Sequence, residues 1–118
     1  MINQKFIDFT IKNEIIYAVV VNLDTSTIIS TGWKYKLPYE GLLKSLFNDE
    51  ETVKKVNDSL KGQIMPQSMA QGDLNCALCK PKSNILIGLF YIDKREPSES
   101  YEYSRQLDDE LNSIFSII

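Results

Sequence analysis

The stretch from Gln63 to Asp93 decides the fold, through its hairpin GDLNCALC (72–79), KPKSN (80–84) and ILIGLFYID (85–93). Two apolar runs flank a short Pro/Ser/Asn turn, and runs of this length joined through turn residues read as an antiparallel hairpin. Pro97-Ser98-Glu99 follows as a helix start, with a carboxylate near the positive helix end. From there Leu107, Leu111, Ile114 and Ile118 recur at steps of three and four, and Asp108, Asp109, Glu110 and Asn112 take the opposite side. The C-terminal part is therefore a hairpin feeding an amphipathic helix.

An earlier segment repeats this plan. Ile15–Val21 is dense in β-branched residues and reads as a strand buried on both faces. Asn22 to Ser26 supplies turn chemistry, and Thr27 to Trp33 returns as a second strand. Pro38 suits a helix's first turn, where its missing N–H would be unpaired anyway, and Leu42, Leu43, Leu46 and Phe47 then fall at helical spacing. Asn48 with Glu51 resembles a capping box at which a second helical piece restarts. Val53, Val56 and Leu60 form its stripe and Gly62 ends it; one kinked helix or two short ones fit equally. Upstream, Phe6–Ile11 half-alternates and reads as an edge strand, with a frayed extension as the alternative. Met65–Ala70 leaves room for a further strand.

The expected fold is α/β of the α+β kind. A single antiparallel sheet of about five strands is flanked by two or three helices. At 118 residues, the span 1–118 reads as one domain with its own core.

A net charge of −3, with Lys54-Lys55 and Lys94-Arg95 as the only basic doublets, argues against a nucleic-acid-binding face. The longest apolar runs have strand length, well short of the roughly 20 residues a membrane span needs. No early segment reads as an export signal, and there are only two cysteines, so the expected compartment is a reducing cytoplasm.

Chemical motifs are absent. Cys76 and Cys79 have the C-x-x-C spacing, but on a strand residues three apart point to opposite faces, which opposes a disulfide or joint chelation. They read as structural, with Cys76 inward beside Leu74 and Leu78. The chain has no histidine, which removes imidazole-based nucleophile activation and metal ligation. Asp49-Glu50-Glu51 and Asp108-Asp109-Glu110 read as solvated or capping charges. No glycine-rich phosphate loop occurs, and Gly88 inside an apolar strand reads as a place where a helix packs over it, with a bulge or close backbone approach as the alternative. No catalytic residue, metal or cofactor is expected, and the chain does not read as an enzyme. Trp33, Tyr35, Tyr39 and Tyr91 are the candidate partner-binding residues; exposed, they would form an aromatic patch, and buried, they would close the end of the sheet. Tyr101 and Tyr103 pose the same choice.

The two hairpin–helix units resemble the roadblock (dynein-light-chain-like) family, within the wider profilin/longin-like group. Ile16 to Trp33, with its Ala18-Val19-Val20 strand and a turn containing Asp24, resembles the family's first hairpin. Met69 to Asp93 resembles its second half, and LDDELNSIF (107–115) its closing helix. The family commonly opens on a helix, whereas residues 5–11 read as a strand. The resemblance implies a non-catalytic scaffold that forms homodimers by sheet extension and helix packing, with another protein such as a small Ras-like GTPase as partner. Other functions compatible with a small acidic α/β chain are a secretion chaperone or toxin-immunity protein, and last a small-ligand sensor.

Overall fold

The structure is a computed structural model and describes residues 2–116. The chain opens on helix α1 (Gln4–Lys12), followed by the hairpin β1 (Tyr17–Asn22) and β2 (Thr27–Gly32). A 3-10 turn, Lys34–Lys36, leads to helices α2 (Gly41–Phe47) and α3 (Glu50–Ser59). Strands β3 (Gln67–Gln71), β4 (Leu74–Lys82) and β5 (Ile85–Ile92) complete the sheet, and α4 (Pro97–Phe115) closes the chain. The five strands lie in the order β2-β1-β5-β4-β3, all antiparallel. The fold class is the one read from the sequence.

Both faces of the central strands are covered, and this explains their unbroken apolar runs. On one face Val19, Val21, Leu74, Cys76, Leu78, Leu86 and Phe90 pack under α2 and α3. On the other, Ala18, Val20, Ala77, Cys79, Ile87, Leu89 and Tyr91 pack with Phe6 and Phe9 of α1 and Leu107, Leu111 and Phe115 of α4. Cys76 and Cys79 therefore part to opposite faces, each buried with a free thiol.

The first hairpin turns as its residues require. The Asn22 carboxamide oxygen accepts from the backbone N–H groups of Asp24 and Thr25, at 2.9 and 3.2 Å. The middle segment resolves into two helices, and the capping box sits one residue later than the sequence suggests. Asn48 keeps helical dihedrals, and the extended Asp49 caps α3 by accepting from the Thr52 N–H at 2.9 Å. The Thr52 hydroxyl accepts from the Asp49 N–H in return. Pro38 lies in the linker ahead of α2 instead of in its first turn.

Residues 6–11 are helical, which corrects the strand expected there. Phe6, Phe9 and Thr10 are buried at helical spacing, and the Phe6 N–H donates to the Asn3 side chain at 3.0 Å as an N-cap. The Phe6 ring meets Phe115 edge-on, with centroids 6.2 Å apart. The opening helix thus gains a hydrophobic partner at the far end of the sequence. The spare strand lies at Gln67–Gln71 as edge β3.

On α4, Pro97 occupies the first turn and Glu99 lies beside the helix start. Leu107 and Leu111 face the sheet as read, joined by Phe115 and Ser104. Asp108 departs from the polar side assigned to it: it is buried and faces the Cys79 thiol. Ile118 lies outside the described residues.

Candidate functional site

The four residues singled out from the sequence separate in space. Gly32 ends β2 at φ 110, where a side chain would run into the Ile16 carbonyl. That close passage lets the Trp33 N–H donate to the same carbonyl at 2.7 Å. Trp33 and Tyr35 then emerge together, with rings edge to face 5.9 Å apart and exposures of 55% and 76%. The Lys36 ammonium stands 5.2 Å from the centre of the Trp33 ring. Ile11 of α1 is also exposed and lines a hollow of about 270 Å³ with Ile15, Trp33 and Lys36.

Tyr39 stands elsewhere, half exposed, with its ring over Gly72 in the turn between β3 and β4. Tyr91 is buried, which corrects its assignment to a binding surface. Its ring meets Tyr103 edge-on at 5.2 Å, and its hydroxyl accepts from the Asn75 carboxamide at 3.0 Å. Burial pushes its phenol well above the ordinary value. With α4 laid over it, Tyr91 has no surface to offer.

Behind Tyr91 lies a polar junction that ties three segments together. Tyr103 donates its hydroxyl to the Asn13 carbonyl at 2.7 Å, and the Arg95 guanidinium lies 3.7 Å from its ring centre. Asp93 accepts from the Ser100 hydroxyl and from the Arg95 N–H. Burial raises the Asp93 carboxyl, but those hydrogen bonds and the Arg95 charge outweigh it and hold the group below the usual range. The junction orients the start of α4, and its groups are satisfied by one another.

The sheet leaves two edges open, and they differ. Strand β3 carries no charged residue, has Met69 exposed at its centre, and follows the exposed Ile64. Strand β2 exposes Ile28 and Ile29 on opposite faces, since they pair with Val21 and Val20 respectively. On the α2/α3 face, Ser26, Ile28 and Ser30 alternate small, large and small. This leaves one hollow of about 260 Å³ bounded by Val21, Ile28 and Val53, and another of about 160 Å³ bounded by Ile28, Ser30 and Phe47. The two share Ile28 and form one groove between β2 and the helices. Sequence reading did not find this groove; its signal is the polar, short-side-chain character of Thr27–Gly32 beside the apolar Tyr17–Asn22.

Neither edge gathers reactive groups. Burial pushes the thiols of Cys76 and Cys79 up, and no three metal-ligating side chains converge among the described residues. No described helix is long and apolar enough to cross a membrane. The arrangement presents surfaces for pairing.

No family model matches the sequence, and no curated protein matches it. Among solved structures, the chain is similar to MglB of Myxococcus xanthus, with a TM-score of 0.58 at 15% identity, covering 94% of this chain and 91% of that one. The likeness is one of fold and spans nearly the whole length of both chains.

Proposed function

We propose that the chain is a non-catalytic, single-domain roadblock-type adaptor that pairs with itself along β3 and docks a second protein. The observation that carries this reading is the uncharged β3 edge. Natural edge strands are commonly blunted by charge, proline or cover, and Gln67–Gln71 has none of the first two within it. Antiparallel pairing about Met69 sets that residue opposite its own copy and Gln67 opposite Gln71, as a two-fold contact requires. The exposed Ile64 adds apolar surface beside the seam. For the second protein, the roadblock-type fold favours a small Ras-like GTPase. The free thiols of Cys76 and Cys79 suit a reducing cytoplasm.

Light scattering across a concentration series tests the pairing. The expected mass is twice the 13.5 kDa of one chain, falling to one chain for Met69→Lys with the fold retained. A wild-type monomer at every concentration overturns self-pairing. Capture of a GTP-loaded Ras-like protein by the wild-type chain tests the partner class.

A further inference from the structure

We propose that the β2 edge is a second docking site, which accepts an acidic, extended segment of another protein as an added strand, its side chains entering the two hollows beside Ile28. The inference rests on the adaptor reading for its biological setting and on separate residues for its geometry.

Three observations carry it. The outer side of β2 has no strand partner, so its N–H and C=O groups are a template for an extended chain. The hollows flank Ile28, one on the Ser26 side and one on the Ser30 side. They are therefore set at positions four residues apart on one face of the strand, about 13 Å, which is also the spacing of side chains i and i+4 on an incoming extended segment. A helix laid along the groove would place its side chains at other intervals and leave the backbone groups of β2 unmet.

Charge selects the occupant. In a chain of net charge −3, this groove is lined by Lys34, Lys44 and Lys54. Its two acids both line the larger hollow: Glu50 accepts from the Ser26 hydroxyl at 3.0 Å, and Asp58 meets Lys61 at 3.2 Å in an exposed pair that holds weakly. Lys44 meets Glu40 at 3.6 Å, but both side chains are mostly exposed, and such pairs hold weakly. The smaller hollow is lined by two lysines and no carboxylate, which suits an acidic side chain there. The larger one, walled by Val21, Ile28 and Val53, suits an aliphatic side chain four residues away. A second copy of β2, Thr27–Gly32, carries no acid and satisfies only the backbone.

The test is selection of a random-peptide phage library on the full chain. Enriched peptides are expected to carry an acidic residue four positions from an aliphatic one. Their affinity should fall about tenfold or more with Ile28→Asp, the loss typical of an interface anchor. Ser30→Phe, which fills the smaller hollow without changing charge, should give a similar loss, and Ile29→Asp on the opposite face should not. Thermal melts of each variant confirm that it folds. No enrichment, enrichment without the pattern, or binding indifferent to both Ile28→Asp and Ser30→Phe overturns the proposal. Loss of the wild-type dimer in Ile28→Asp also overturns it, because β2 would then be the self-pairing edge. A monomeric wild-type chain that still selects the patterned peptides sinks pairing along β3 and leaves this inference standing.

Discussion

Gly88 of β5 lies directly beneath the ring of Phe47 from α2: a Cβ built on the glycine would sit 2.6 Å from Phe47 Cζ, inside any tolerable carbon contact. Glycine normally weakens a strand by about 0.5–1 kcal/mol relative to alanine. Here overpacking, about 1–3 kcal/mol, outweighs that gain. Gly88→Ala should therefore lose stability by roughly 1–2 kcal/mol in urea unfolding. In a Phe47→Leu background the same change should cost much less, because the two sites are coupled through one contact. Equal losses in both backgrounds would show that the ring is not the obstacle.

Asp93 and Asp108 should respond to pH with opposite signs. Hydrogen bonds from Ser100 and Arg95 overcome burial at Asp93 and leave its folded value lowered from 3.8. It therefore contributes stability above that value, and the contribution fades as pH falls through its lower folded value. Asp93→Asn should cost about 1–3 kcal/mol at neutral pH, with the gap closing in acid.

At Asp108 burial dominates and the carboxyl is raised above 3.8, despite hydrogen bonds to Cys79 and Asn112. The folded chain holds this proton longer than the unfolded one, so ionisation weakens the fold as pH rises past 3.8 and through the raised value. Asp108→Asn should be the more stable protein at neutral pH and lose its advantage below 3.8. Chemical denaturation of both variants at several pH values checks the two signs together.

Tyr91→Phe should lose about 1–3 kcal/mol, because it leaves the buried Asn75 amide without its acceptor. Trp33→Ala, at a residue 55% exposed, should stay within about 0.5 kcal/mol of wild type. Paired thermal and urea melts separate the structural tyrosine from the surface tryptophan.

Neither thiol should react with an aromatic disulfide reagent in the native chain, since burial withholds both and disfavours the thiolate. In denaturant both should titrate. Mild oxidation of the native chain should give no internal crosslink, because Cys76 and Cys79 face different cores. A crosslink formed without unfolding would contradict the register of β4.

The central strands were legible because burial on both faces leaves an unbroken apolar run, as in Ile85–Tyr91. The turn at Asn22 and the start at Pro97 were legible because their side chains act locally. Helix α1 was not. Phe6, Ile7, Phe9 and Ile11 fit either period, and what selects the helix is Phe115, more than a hundred positions away in sequence. Asp108 hid among acidic neighbours on α4, and only the approach of β4 shows that it points inward. Of the aromatic candidates, Trp33 and Tyr35 share a patch because Gly32 permits the turn before them, whereas Tyr91 vanishes under Tyr103. The groove beside Ile28 belongs to no single segment: it exists only where β2 passes α2 and α3.

The order β2-β1-β5-β4-β3 sets a length as well as a topology. Two chains joined at β3 would make one ribbon of ten strands, whose outer borders are both β2 and lie about 43 Å apart at the usual strand spacing. Such a pair is a ruler with a socket at each end. A partner presenting two acidic segments on a tether shorter than that span could fill only one socket, and one with a longer tether would gain the avidity of both.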